Sequence, residues 1–112
     1  MRYAIPVTNG RVAAHFGHCE QFALIDVDPS ARDILGTEFV QAPAHEPGLL
    51  PAWLAEQGAS IVIAGGMGSR AQALFAQNRI EVVVGAEGDE PEQIVRSHLA
   101  GILATGQNIC DH

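Results

Sequence analysis

The segment Ile61-Val-Ile-Ala-Gly-Gly-Met-Gly-Ser-Arg70 decides the fold class of this chain. Its first four residues are apolar, which is typical of a short strand buried on both faces of a sheet. The glycines that begin at Gly65 end that strand, and apolar residues then recur at helical spacing. A second apolar strand follows at Val82-Val-Val84. Because a helix separates two buried strands, the segment predicts a parallel β-α-β unit.

The residues before this unit predict strands of another kind. Arg2–Val7, Phe22–Asp28 and Ile34–Val40 are strand-like runs, and Thr8-Asn9-Gly10 is a strong turn signal. Short turns between neighbouring strands favour antiparallel pairing. The intervening stretch 11–21 is too polar and too interrupted by glycine for a regular element, so we expect a loop there.

Three helices complete the predicted order βββαβαβα. The first carries Leu49 and Leu54 at helical spacing and stops at Gly58, and the second stops at Asn78 in a left-handed conformation. The third begins at the capping-box pattern Asp89-x-x-Glu92. The expectation is one α/β domain over residues 1–112, with a mixed sheet flanked by helices.

Composition limits the classes of function. The 112 residues are 47% hydrophobic and 17% charged, which excludes a disordered chain. The formal net charge is −7 and all six basic residues are arginine, so we expect no nucleic-acid partner. Two cysteines are too few for a disulfide scaffold, and no apolar run is long enough to span a membrane. A cytoplasmic domain without a membrane partner is the expectation.

The glycine turn after the first buried strand is a candidate anion site. Unpaired N–H groups and the positive end of the following helix point into one space, and missing side chains let an anion approach. The alternative is a tight connection that needs glycine only for its backbone geometry. The candidate cofactor-binding residues of this turn are Gly65, Gly66, Met67, Gly68, Ser69 and Arg70.

The same turn also satisfies a dinucleotide-binding pattern. Gly66-x-Gly68-x-x-Ala71 fits G-x-G-x-x-G/A, and Glu87 follows about twenty residues later, where a ribose-binding acid is expected. However, only one β-α-β unit follows the usual plan, and a complete nicotinamide site needs more sheet. A small nucleotide-binding module therefore stands as an alternative.

The loop His15-Phe-Gly-His-Cys19 is the second candidate site. The imidazoles of His15 and His18 and the thiolate of Cys19 are suitable ligands for soft or borderline metals or for a metal–sulfur cluster. Cys110 and His112 complete such a site if the tail folds back, and a frayed terminus is the alternative. The other interpretation of the loop is a core histidine and an inert buried thiol.

No catalytic set is recognised. The sequence has no G-x-S-x-G elbow and no HExxH motif, and the absence of lysine removes Schiff-base and P-loop chemistry. We therefore expect a protein that is not an enzyme.

Several segments in order resemble the dinitrogenase iron–molybdenum cofactor biosynthesis family. The resemblance covers nearly the whole chain and rests on Ile5-Pro-Val7, His15-Phe-Gly17, Phe22–Asp26, Ala59–Gly68 and Gly101–His112. It implies a ribonuclease-H-like fold whose five-stranded mixed sheet has three antiparallel and two further parallel strands. Nuclease activity is not implied, because the strand Tyr3–Val7 lacks the metal-binding carboxylate of such nucleases.

The resemblance also implies a function. Such a domain binds, stores or transfers a preformed metal–sulfur cluster without turnover: an iron–molybdenum cofactor, its precursor, or a related molybdenum, copper or iron sulfide. Its partners are then cluster donor and acceptor proteins, and the chain is a monomer or a weak homodimer. His15 inherits the role of cluster contact, whereas Ala14 stands where some relatives have a basic residue. A plain protein-interaction domain is the remaining alternative.

Overall fold

The computed structural model describes residues 1–14, 16, 19–43, 49–86 and 90–103. These residues form six strands and three helices. In chain order the elements are β1 (Arg2–Thr8), β2 (Arg11–Val12), β3 (Gln21–Asp28), β4 (Asp33–Gln41), α1 (Leu49–Glu56), β5 (Ile61–Ile63), α2 (Ser69–Gln77), β6 (Glu81–Val83) and α3 (Pro91–Leu99). Within the same residues, no helix is long and apolar enough to cross a membrane.

The sheet confirms the predicted mixed topology. Its strand order is β4-β3-β1-β5-β6. β1 pairs antiparallel with β3, and β3 with β4. β5 runs parallel to both β1 and β6. Three antiparallel strands and two further parallel strands therefore form one continuous path, as the sequence predicts.

A sixth strand corrects the prediction that residues 11–21 contain no regular element. Asn9 and Gly10 have φ values of 55° and 77°, the combination that a tight two-residue hairpin turn requires. The chain therefore reverses at once, and Arg11–Val12 pairs with the end of β1 as β2. Two residues are too short for a hydrophobic period, which is why the sequence pattern did not show this strand.

Side chains of the sheet are buried on both faces. Tyr3 and Ile5 belong to the core cluster that packs against α3. Leu54 of α1 and Phe75 of α2 belong to the cluster on the opposite face, and both side chains are fully buried. Burial of each such side chain stabilises the fold by about 1.5–3 kcal/mol. The helices therefore cover both faces of the sheet, so a candidate ligand site is sought at the ends of the strands.

The helix stops agree only in part with the sequence. Gly58 follows α1 with a φ of 82°, which confirms it as the stop. Asn78, in contrast, has a φ of −94°, and Arg79 adopts the left-handed conformation at 59°. The side chain of Asn78 donates to the carbonyl oxygen of Leu74 at 2.9 Å, which keeps Asn78 in the last helical turn. The predicted left-handed stop is thus displaced by one residue.

The start of α3 also differs from the predicted capping box. The helix begins at Pro91 with Glu90 at its N-cap, and no side chain makes a capping hydrogen bond there. Glu92 instead accepts a hydrogen bond from the hydroxyl group of Thr37 at 2.6 Å, which ties α3 to β4. Asp89 lies outside the described residues.

The side chains of two residues, Arg2 and Tyr3, hold the early part of β1. The Tyr3 hydroxyl lies 2.7 Å from Nδ1 of His98, and burial raises the pKa of that hydroxyl. Arg2 forms an ion pair with Asp26 at 2.8 Å and donates to the carbonyl oxygen of Gln57 at 2.7 Å. These contacts fix β1 to α3, to β3 and to the end of α1.

Candidate functional site

Three loops meet at the carboxyl edge of the parallel strands. The Phe16 N–H donates to the carbonyl oxygen of Gly66 at 2.9 Å. The Gly65 N–H donates to the carbonyl oxygen of Ala13 at 3.3 Å, and the Gly85 N–H donates to that of Gly65 at 2.8 Å. The loops after β2, β5 and β6 are therefore joined by backbone hydrogen bonds. Ligand sites of open α/β sheets commonly lie at this edge.

Phe16 anchors the loop that contains the His-Phe-Gly motif. Its ring is buried, and its centroid lies 5.2 Å from that of Phe75 and 5.7 Å from that of Phe22. The loop is thus held both by a backbone hydrogen bond and by the core. The predicted ligands His15 and His18 lie outside the described residues, as does Gly17.

The predicted glycine turn joins β5 to α2 as expected. Gly65, Gly66 and Met67 are buried, whereas Ser69 and Arg70 are exposed. The Met67 side chain belongs to the core, so a contribution of this residue to binding must come from its backbone. The first turn of α2 has no side-chain cap, and its positive end therefore faces the edge with backbone N–H groups.

The surroundings of Gly68 bear on the two interpretations of the turn, an anion site or a tight connection that needs glycine for its backbone geometry. It is the N-cap of α2 with a φ of −65° and a ψ of 153°, a conformation open to any residue. A Cβ atom added there would meet no atom within 4 Å. Neither backbone strain nor packing in the described residues requires glycine at this position. Among the described residues, the space at Gly68 leaves room for the predicted anion.

Cys19 lines a pocket between the loop after β2, the end of β4 and the start of α1. The pocket has a volume of about 460 Å³. Burial raises the pKa of the half-buried Cys19 thiol to about 11. At neutral pH the thiol is protonated, so a metal must displace a proton to bind it. The other residues that line the pocket are Glu20, Gln21, Gln41, Ala42, Pro43 and Leu50.

The remaining candidates are not brought together by the described residues. Cys110, His112 and Glu87 lie outside them. Within the described ranges, no group of three or more histidine, cysteine, aspartate or glutamate residues could hold a metal ion. The proposed ligand set thus depends on residues beyond these ranges.

Two features of this edge were not predicted from the sequence. One is Gly85, which has a φ of 90° and ties the loop after β6 to the glycine turn. The sequence does contain a signal for it, because a glycine directly follows each of the two apolar strand segments, Gly65 after the first and Gly85 after the second. The other is the pair Gln21 and Gln41, which face each other across β3 and β4 beside Cys19. Their pairing depends on strand register, which the sequence pattern does not fix.

The sheet order and the joined loops define a small α/β domain whose candidate site is the carboxyl edge of the parallel strands. The chain belongs to the dinitrogenase iron-molybdenum cofactor family, whose model matches residues 1–101. This confirms the resemblance of the sequence segments to that family.

Individual proteins are similar to this chain over most of its length. An uncharacterized protein of Methanocaldococcus jannaschii is 31% identical over an alignment of 87 residues, with 73% of this chain and 72% of the relative covered. The crystal structure of PH0822 is 32% identical, with a TM-score of 0.87 and 96% of each chain covered. The apo form of the orange protein from Desulfovibrio gigas is 25% identical, with a TM-score of 0.73, 96% of this chain and 93% of that chain covered.

Proposed function

We propose that this chain binds a preformed metal–sulfur cluster at the carboxyl edge of its sheet and holds it for transfer, without turnover. The observation that carries the proposal is the hydrogen bond of 2.9 Å from Phe16 to Gly66. It fixes the neighbour of His15 against the glycine turn, so a ligand loop and an anion-binding turn share one edge. Membership of the iron-molybdenum cofactor family supports the same function.

The glycine turn supplies the anion-binding half of the site. Metal–sulfide clusters carry net negative charge, which the positive end of α2 and the exposed side chain of Arg70 attract. The empty space over Gly68 lets sulfide atoms reach the backbone. These contacts recognise charge and shape and form no covalent bond to the metal.

A small number of side-chain ligands supplies the other half. His15 is the leading ligand, with His18 and Cys19 beside it in the sequence, and Cys110 and His112 as further candidates from the tail. The raised pKa of Cys19 makes its metal bond easier to reverse by protonation. Weak and few ligands suit a carrier, which must release what it binds.

The cargo class follows from this chemistry and from the family. It is an iron–molybdenum cofactor, its precursor, or a related molybdenum, copper or iron sulfide cluster. Cluster donor and acceptor proteins are the corresponding partners. Ala14 offers no positive charge to the cargo, so Arg70 is the cation of this edge that we assign to it.

Metal analysis of protein purified without oxygen tests the proposal. Wild type is compared with His15→Ala by visible spectrum and by iron, molybdenum and copper content. Metal-free protein is then titrated with tetrathiomolybdate plus copper(I), and with isolated iron–molybdenum cofactor. We expect wild type to retain a coloured cluster and His15→Ala to lose about tenfold or more in affinity.

The matched control is His98→Asn. It removes a histidine that is hydrogen-bonded to Tyr3, whereas His15 is next in sequence to the residue that contacts the glycine turn. It should retain the cluster at wild-type affinity. A colourless wild type that also refuses both added clusters would contradict the proposal. Binding of NAD that Glu87→Ala weakens, without bound metal, would favour the nucleotide-binding alternative.

A further inference from the structure

The strand β4 forms an open edge of the sheet. It is nine residues long and pairs only with β3 among the described strands. Leu35 and Phe39 on this strand are 70% and 51% exposed. A long edge with exposed apolar side chains is a template for pairing with another strand.

The hydrogen-bond pattern shows which backbone groups of β4 point outward. The Ala42 N–H donates to the carbonyl oxygen of Glu20 at 3.1 Å, so Ala42, directly after β4, directs its N–H group toward the strand β3 side. Hydrogen-bonded and non-bonded pairs alternate in an antiparallel ladder. Because this direction alternates along β4, the residues Thr37, Phe39 and Gln41 direct their N–H and C=O groups away from β3.

Most ways of pairing β4 with a copy of itself are unfavourable. A two-fold axis at Glu38 places two carboxylates directly opposite each other. With the axis at Thr37 or earlier, the paired segment includes Leu35. Leu35 has no partner on β3, because the register of β3 and β4 shifts there, and the irregular backbone at such a shift disrupts regular pairing. An axis at Val40 or later places Pro43 at a position that must donate an N–H.

We propose that a second copy of this chain pairs its β4 antiparallel with β4, with the two-fold axis at Phe39. In this register the two Phe39 residues face each other, Thr37 lies opposite Gln41, and Glu38 lies opposite Val40. Each outward-facing pair exchanges two backbone hydrogen bonds, and no like charges are directly opposed. The half-exposed Phe39 rings meet on one face, which removes apolar surface from water. The two sheets become one continuous sheet.

The charge of the chain sets the conditions for this association. Each copy carries a formal net charge of −7, so two copies repel each other at low salt. Screening weakens this repulsion, while the backbone hydrogen bonds and the apolar contact are affected little. The dimer should therefore become tighter as the salt concentration rises.

Sedimentation equilibrium from micromolar to millimolar protein tests the pairing. Wild type should dimerise reversibly, and more completely at high salt. Phe39→Glu places two carboxylates opposite each other and should give a monomer. Leu35→Glu adds the same charge to the same strand outside the paired segment and should still dimerise. A wild type that is monomeric at every concentration and salt, or a Phe39→Glu variant that dimerises like wild type, would overturn the proposal.

Cross-linking checks the register independently of charge. In a background with Cys19→Ser and Cys110→Ser, Phe39→Cys should oxidise to a covalent dimer. Residues opposed in a hydrogen-bonded pair have Cα atoms about 5.5 Å apart, within the range of a disulfide. Thr37→Cys should not cross-link, because its counterpart lies opposite Gln41. Equal cross-linking of the two variants, or capture of the edge by a different protein alone, would exclude the proposed pairing.

Discussion

The backbone N–H of Phe16 donates to the carbonyl oxygen of Gly66 at 2.9 Å, and the Phe16 ring packs edge-on against Phe75 of α2. One residue thus connects the loop after β2 both to the glycine turn and to the helix that the turn begins. The relative placement of the two halves of the proposed site therefore depends on packing in the core.

Replacement of this residue should affect stability and binding together. Phe16→Ala leaves a cavity beside Phe75, and we expect the free energy of unfolding to fall by about 3 kcal/mol. The loop loses its anchor, so cluster retention should also fall. Urea unfolding followed by circular dichroism, together with metal content of the folded protein, measures both effects.

Leu54→Ala provides the control for lost stability. Leu54 is fully buried in the same cluster, and its loss should also cost about 3 kcal/mol. Among the described residues it makes no hydrogen bond to either loop, so cluster retention should persist while the protein is folded. Equal loss of cluster in the two variants would show that the Phe16 anchor has no specific part in binding.

A methyl group at Gly68 should block the site without disturbing the fold. The added Cβ meets no described atom within 4 Å, and the φ of −65° is ordinary for alanine. We expect Gly68→Ala to change the unfolding free energy by less than about 0.5 kcal/mol and to weaken binding of tetrathiomolybdate with copper(I) severalfold. Gly36→Ala, also in open space but on β4, is the matched control and should bind normally. Normal binding by Gly68→Ala would mean that nothing approaches the turn there.

The thiol of Cys19 should react slowly at neutral pH. Because burial raises its pKa to about 11, the thiolate is scarce at pH 7 and increases tenfold for each pH unit up to that value. In a Cys110→Ser background, the rate of alkylation by iodoacetamide should follow this slope. A bound cluster that uses Cys19 should abolish the reaction. A rate that reaches its plateau below pH 9 would instead indicate an activated thiolate.

The Arg2–Asp26 ion pair should make stability depend on pH in the acid range. Arg2 lowers the pKa of the Asp26 carboxyl, mainly through their hydrogen bond. The stabilisation is therefore present above the pKa of an unfolded aspartate and is lost as the pH falls through the lower folded value. The pair is partly exposed, so its contribution is about 0.5–1 kcal/mol.

Urea unfolding between pH 7 and pH 2 compares wild type with Asp26→Asn. The difference in unfolding free energy should be largest at pH 7 and should vanish in strong acid. Glu56→Gln removes an exposed carboxylate of α1 and should leave the acid dependence of wild type in place. A difference that stays constant with pH would attribute the effect of Asp26→Asn to something other than the ion pair.

The topology could be predicted because it depends on local signals. Ile61–Ile63 is a short apolar run between a helix and a glycine turn, and such a strand is buried in parallel pairing. The helix ends were less predictable, because competing local bonds decide them. At Asn78 a side-chain hydrogen bond to the preceding turn outweighed the tendency of asparagine to adopt the left-handed conformation.

The site could be predicted only as separate pieces. Both the glycine turn and the His-Phe-Gly loop are visible in the sequence, but their junction is a tertiary contact between Phe16 and Gly66, fifty residues apart in the numbering. The pairing of Gln21 with Gln41 similarly follows from the register of two strands. Motifs thus indicate the chemistry available, while the sheet determines which motifs are neighbours.

Among the described residues, the hydrogen bonds that join the three loops use main-chain atoms, namely those of Ala13, Phe16, Gly65, Gly66 and Gly85. The exposed side chain of Ser69 makes none of these bonds. Substitution at such exposed positions should therefore leave the scaffold in its shape. If the proposed cluster site is correct, replacing Ser69 alters what the edge binds without altering how the three loops are held together.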